Sequence, residues 1–197
     1  MPHDLDAVAR KLSAAVRIPT ISFPDPNQER EQAMMDLHAE LERLFPLVHR
    51  HLEREVINGY SLAYHWKGKQ PGEVGLITAH MDVVPIENGT EADWTHPPFS
   101  GAIADGFVWG RGSLDIKCHM ICALEAVEGL LGDHFVPEHD RWFAFGHDEE
   151  IGGRGGASKL VEWFSTKGIR FSWLLDEGGV VSDGAVAGVD KPVALIG

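Results

Sequence analysis

Three apolar runs in this sequence each lead into acidic or imidazole side chains. Val74 to Ala79 leads into His80-Met81-Asp82, Trp142 to Phe145 is followed by Glu149-Glu150, and Trp173 to Leu175 runs into Asp176-Glu177. Short continuous apolar runs of this kind read as strands, which places candidate metal ligands at strand ends. In an open α/β sheet the carboxyl ends of the strands line one crevice, so residues distant in sequence converge there without any helix carrying two of them. A fourth candidate, Asp115, follows the turn Gly110-Arg111-Gly112 and opens a predicted helix.

The remainder of the chain supports α/β order. An amphipathic helix is predicted from about Asp4, with Leu5, Val8, Ala9, Leu12 and Val16 on one side. A second helix has apolar spacing at Met34, Leu37, Leu41, Leu44 and Phe45 and stops before Pro46. Segments Glu53 to Ile57 and Ser61 to Trp66 bracket Asn58-Gly59, a strong hairpin signal. Strand, long loop, helix, strand, helix and strand follow. The loop from Pro85 to Phe107 is well beyond the usual length of about 4–6 residues, and its aromatic and proline content predicts order. The closing segment Pro192 to Gly197 reads as a strand that stops without a polar ending, as expected of a piece of a longer protein.

Composition narrows the partners. A chain of 197 residues is long enough for one well-packed domain, and a formal charge of −13 lacks the clustered cations that a nucleic-acid partner requires. No stretch approaches the ~20 apolar residues of a membrane span, and no basic-then-apolar export signal opens the chain, so a cytoplasmic location is expected. The two cysteines, Cys118 and Cys122, share one face of a predicted helix within an apolar run. They are expected to be small buried hydrophobes rather than a redox pair or a zinc knuckle.

The strand-end residues carry the chemistry. Alternate residues on an extended chain point the same way, so Asp82 can accept a hydrogen bond from the His80 nitrogen that faces away from a metal. His-x-Asp is also a short pattern that arises by chance. Asp115 is either a helix cap or a metal-bridging carboxylate projected from a rigid turn, and His119 at i+4 is a rival ligand on the same helix. Glu149 and Glu150 repel one another unless a cation neutralises one. One would then ligate and the other serve as general base; the alternative is a solvated acidic turn that includes Asp148. Gly152-Gly153-Arg154-Gly155-Gly156 matches neither phosphate-cradle pattern and is expected to let the backbone turn sharply beside the metal.

The blocks HMDVVP, WTHPPFSG, WGRGSLDIK, FGHDEEIGG and LLDEGG, in that order between Leu76 and Gly179, resemble the co-catalytic zinc peptidases. These include carboxypeptidase S (Gly-X carboxypeptidase), aminoacylase and glutamate carboxypeptidase. The resemblance implies an α/β fold with a central mixed, mostly parallel sheet flanked by helices, of which residues 1–197 form the N-terminal portion of the catalytic domain. It implies two zinc ions, with cobalt or manganese as substitutes. His80 and Asp176 would hold one ion, Asp115 would bridge, Glu150 would hold the other, Glu149 would be the general base, and Asp82 would orient His80. It also implies a cis Asp115–Ile116 peptide bond, small-peptide or N-acyl amino acid substrates, and a homodimer formed through a lid domain. A lid histidine and a histidine near the C-terminal end, which complete such sites, would lie beyond Gly197. The chain alone is therefore expected to bind metal weakly and turn over poorly, and the competing reading is a non-catalytic fragment. Cys118 departs from the small or amide residue common at that position.

Overall fold

The computed structural model describes residues 4–25, 28–178, 181–182, 186, 188–189 and 191–194. Helices α1 (Leu5–Val16), α2 (Gln28–Leu44) and α3 (Pro46–His51) precede a hairpin of β1 (Glu53–Ile57) and β2 (Ser61–Trp66). Then come β3 (Gly75–His80), the small hairpin β4 (Ala102–Ala104) and β5 (Phe107–Trp109), α4 (Lys117–Gly132), β6 (Arg141–Gly146), α5 (Ala157–Thr166), β7 (Trp173–Leu175), β8 (Val181–Ser182) and β9 (Val193–Ala194).

Local chemistry accounts for the boundaries. Asp4 caps α1 by accepting from the Ala7 amide at 3.2 Å, and Pro46 ends α2 and starts α3. The β1–β2 turn needs positive φ, and Asn58 and Gly59 supply it at 50° and 89°. The long loop contains a short 3₁₀ turn, Glu91–Asp93, before it reaches β4.

The main sheet has the order β1-β2-β6-β3-β7. β2 pairs antiparallel with both β1 and β6, whereas β3 pairs parallel with both β6 and β7. Thus β2 alone runs against the other strands of this sheet, and the mixed sheet expected from the resemblance is present, with its parallel pairings confined to β6, β3 and β7. The alternation along β6 explains its unbroken apolar character. Phe143 and Phe145 join the core made with α1 to α4, while Trp142 and Ala144 join Leu160 and Phe164 of α5 on the opposite face. Burial of a side chain such as Phe145 contributes about 1.5–3 kcal/mol.

One expectation is corrected. Cys118 is partly exposed and Cys122 exposed, because α4 faces the core through Met120, Ile121, Leu124 and Val127, and both cysteines lie off that stripe. Trp173, Leu174 and Leu175 form the expected strand and are exposed. β7 is the edge of the five-stranded sheet, so its side chains meet fewer neighbours. At the end of the chain Val193–Ala194 pairs with Val181–Ser182, while residues 195–197 of the proposed closing strand lie outside the described residues. Among the described residues, no helix is long and apolar enough to cross a membrane.

Candidate metal centre

Strands β6, β3 and β7 are parallel neighbours, so their carboxyl ends open on the same edge of the sheet. The chain passes from β3 through α4 to β6 on one side, then through α5 to β7 on the other. This reversal around β3 creates a crevice at the strand ends. His80 is the last residue of β3, Glu149 and Glu150 begin a 3₁₀ turn just after β6, and Asp176 and Glu177 follow β7. Asp115 reaches the crevice from the turn before α4, and its peptide bond to Ile116 is cis.

His80 Nε2 lies 3.0 Å from Asp115 Oδ1, 3.7 Å from Glu149 Oε2 and 3.7 Å from Glu177 Oε1. Ligand atoms of His80, Asp115 and Glu177 all lie within 4.8 Å of one another. The imidazole side chain is only 3% exposed, whereas Asp115, Glu149 and Glu177 are 66%, 51% and 38% exposed. Burial pushes the His80 pKa down, but the hydrogen bond and charge of Asp82 outweigh burial and raise it to about 9. A proton on Nε2 and a metal cation compete for one lone pair. A borderline nitrogen ringed by carboxylate oxygens suits zinc and similar divalent ions, so the residues present fit the metal that the sequence implies.

Asp82 is central to this arrangement. The His80 Nδ1 donates to the Asp82 backbone carbonyl at 2.9 Å and lies 3.4 Å from carboxylate Oδ1. The same carboxylate accepts the Glu149 amide at 3.1 Å, the Glu150 amide at 3.2 Å and the Ser22 hydroxyl. Burial favours the neutral acid, yet the bonds from His80 and Ser22 and the His80 charge hold its pKa below the usual carboxylate range.

The structure brings His80, Asp82, Asp115 and Glu149 together. It does not bring Glu150 or Asp176 into the closest group. The Glu150 side chain is half-buried beside it, with its pKa raised by burial and then by the Asp115 charge. Asp176 lines the same cleft, of about 860 Å³, but its carboxylate accepts the Glu177 amide at 2.9 Å. Glu177, the next residue, instead points toward His80. Its pKa is raised by burial, with the Asp115 charge adding to the effect and His80 opposing it.

Other supporting residues escape sequence reasoning. Asp148 is buried rather than part of a solvated turn, accepting the Gly155 and Gly156 amides at 2.6 and 2.7 Å. A Cβ at Gly156 would lie 2.5 Å from Asp148 Oδ1, so this glycine permits a close approach. Asn58 donates to the Gly155 carbonyl at 3.0 Å and Arg30 to the His147 carbonyl at 2.7 Å, bracing the acidic turn from two other elements. Lys117 is buried, and its ammonium donates to the Ala15 and Ile18 carbonyls at 3.0 and 2.6 Å. Burial lowers its pKa to about 7, against an opposing pull from Asp82. Acidic clustering and glycine spacing were visible signals for Asp148, and Lys117 closes the block WGRGSLDIK; Ser22 carried none.

Comparisons with known proteins agree with this geometry. Residues 76–191 match Peptidase family M20/M25/M40. The chain is 40% identical over 195 residues to the probable carboxypeptidase S-like 2 of Dictyostelium discoideum, covering 96% of this chain and 37% of the relative. It is 38% identical over 189 residues to the N-fatty-acyl-amino acid synthase/hydrolase PM20D1 of Xenopus tropicalis, covering 94% of this chain and 36% of that protein. The crystal structure of human carnosine dipeptidase 1 superposes with a TM-score of 0.72 at 17% identity, covering 90% of this chain and 40% of that one. The chain thus spans well under half the length of these proteins.

Proposed function

Because the chain belongs to Peptidase family M20/M25/M40, we propose that it carries metal-ligating and proton-transfer residues of a hydrolase that cleaves amide bonds in small peptides or N-acyl amino acids. The convergence of His80 Nε2 with carboxylates from three separate turns carries this reading. Zinc is the proposed metal, and His80, Asp115, Glu150 and Asp176 would hold it. A bound divalent cation would supply electrophilic polarisation of the scissile carbonyl and make water acidic enough to lose a proton near neutral pH.

The chain's own residues supply the rest. Asp82 fixes the His80 tautomer by accepting at Nδ1, which leaves Nε2 turned toward the crevice. Glu149 projects a half-exposed carboxylate into the cleft beside His80 and takes the proton from the attacking water, then delivers it to the leaving amine. Its backbone is held by Asp82, so base and ligand share one anchor. The relatives' names motivate the substrate class, one being named for carboxypeptidase S and the other for N-fatty-acyl-amino acids.

The test uses the full protein carrying this sequence, with hydrolysis of N-acyl amino acids and dipeptides measured after chelation and after zinc is restored. Activity should vanish and return. Glu149→Gln should lower kcat by about 10²–10⁴-fold while zinc binding persists. Unchanged turnover in that variant would remove Glu149 as the base, and turnover indifferent to chelation would remove the metal.

A further inference from the structure

Ser22 lies sixty residues before Asp82 in a segment with no motif chemistry, yet its hydroxyl donates directly to Asp82 Oδ2 inside the protein. We propose that Ser22 is a positioning residue for the hydrolytic site. Its hydroxyl holds the Asp82 carboxylate in the one orientation that serves both His80 and the Glu149–Glu150 turn. The inference rests on the metal-hydrolase reading above.

A carboxylate offers about four lone-pair acceptor sites. Asp82 is fully buried, so protein groups must satisfy those sites. Oδ1 faces His80 Nδ1 at 3.4 Å and accepts the Glu149 amide at 3.1 Å. Oδ2 accepts the Glu150 amide at 3.2 Å and the Ser22 hydroxyl. Each oxygen therefore has two partners, one of them a backbone amide of the acidic turn. Without the hydroxyl, Oδ2 keeps only the Glu150 amide, and rotation of the carboxylate would move Oδ1 away from the imidazole.

The backbone around Ser22 is anchored without its side chain. Thr20 Oγ1 donates to the Met81 carbonyl at 2.6 Å, the Val83 amide donates to the Thr20 carbonyl at 3.0 Å, and the Ser22 amide donates to the Val83 carbonyl at 2.9 Å. Ile21 and Val83 form a parallel bridge. Upstream, the Lys117 ammonium holds the Ile18 carbonyl. Removal of the Ser22 hydroxyl therefore deletes one bond to Asp82 while the segment that presents it keeps its own attachments.

Ser22→Ala and Ser22→Thr in the full protein test the assignment. Zinc affinity is measured by competition with a chromophoric chelator. The His80 Nδ1–H resonance is followed by NMR in chelator, and the unfolding midpoint is recorded in parallel. Ser22→Ala should weaken zinc binding roughly tenfold, the low end for partners that orient a metal ligand, and speed exchange of the Nδ1 proton. Ser22→Thr, which keeps the hydroxyl, should restore both. Zinc affinity and proton exchange unchanged in Ser22→Ala would overturn the proposal, as would equal impairment in Ser22→Thr, which would point to packing at this position. A protein that binds zinc yet cleaves no amide would sink the proposed reaction while leaving this comparison intact. If zinc does not bind, the imidazole resonance still decides it.

Discussion

The two halves of the candidate site are built differently. His80 and Asp82 are buried at the end of a central strand, with their polar atoms engaged by backbone and by Ser22. Asp115, Glu149 and Glu177 instead sit on exposed turns around a single imidazole nitrogen. Like charges a few ångströms apart cost about 1 kcal/mol in water and far more in a dry interior. Exposure thus lets folding tolerate the carboxylates without a counter-cation, while burial fixes the imidazole's orientation. Folding energy secures one half of the centre, and the proposed metal would complete the other.

The largest expected effect would come from breaking the buried half. Asp82→Ala strands the Ser22 hydroxyl and the Glu149 and Glu150 amides and removes the counter-charge of His80. It should cost about 3–5 kcal/mol in chemical denaturation with chelator present. Asp115→Asn should change the same measurement by no more than about 0.5 kcal/mol. Equal losses would erase the distinction between the halves. Next, zinc at a hundred times its dissociation constant should stabilise the protein by about 2.7 kcal/mol, and His80→Ala should abolish the shift in unfolding midpoint.

A smaller effect would sharpen the open half. Asp176→Asn should weaken zinc binding about tenfold, equivalent to about 1.4 kcal/mol, with Glu177→Gln losing less by titration calorimetry. Asp176 directly follows the strand end and has one fewer side-chain torsion to fix than Glu177. The reverse order would assign the ligand to Glu177, the residue nearer His80. The smallest effect lies outside the centre. His38 and His49 have pKa values lowered by burial from 6.5, so the unfolded chain takes up protons first as pH falls. Their effect on stability should be a loss as pH drops through 6.5. His38→Gln and His49→Gln should flatten that acid limb in unfolding curves recorded between pH 7 and 5.

Much of this organisation was legible because it follows from local periodicity. The β1–β2 hairpin occupies the segments read on either side of Asn58-Gly59, and β3, β6 and β7 coincide closely with the apolar runs. The strand-end positions of His80 and Asp176 were readable for the same reason. Burial was less legible. The apolar sequence of β7 does not reveal that it is a sheet edge, and Cys122 lies within an apolar helical run yet faces solvent. Lys117 shows the converse, since a charged residue that would ordinarily be exposed is enclosed where α1 ends and its carbonyls need donors.

By itself, the sequence determined the alternation of strands and helices and the chemical types at the strand ends, since side-chain period and turn chemistry act over a few residues. Tertiary structure decided that Ser22 meets Asp82, that Asp148 closes the glycine-rich turn, and that Glu177 comes nearer to His80 than Asp176 does. Those outcomes depend on strand order and on how distant backbones approach. A hydroxyl or carboxylate takes its role from the partner that folding places within about 3 Å of it.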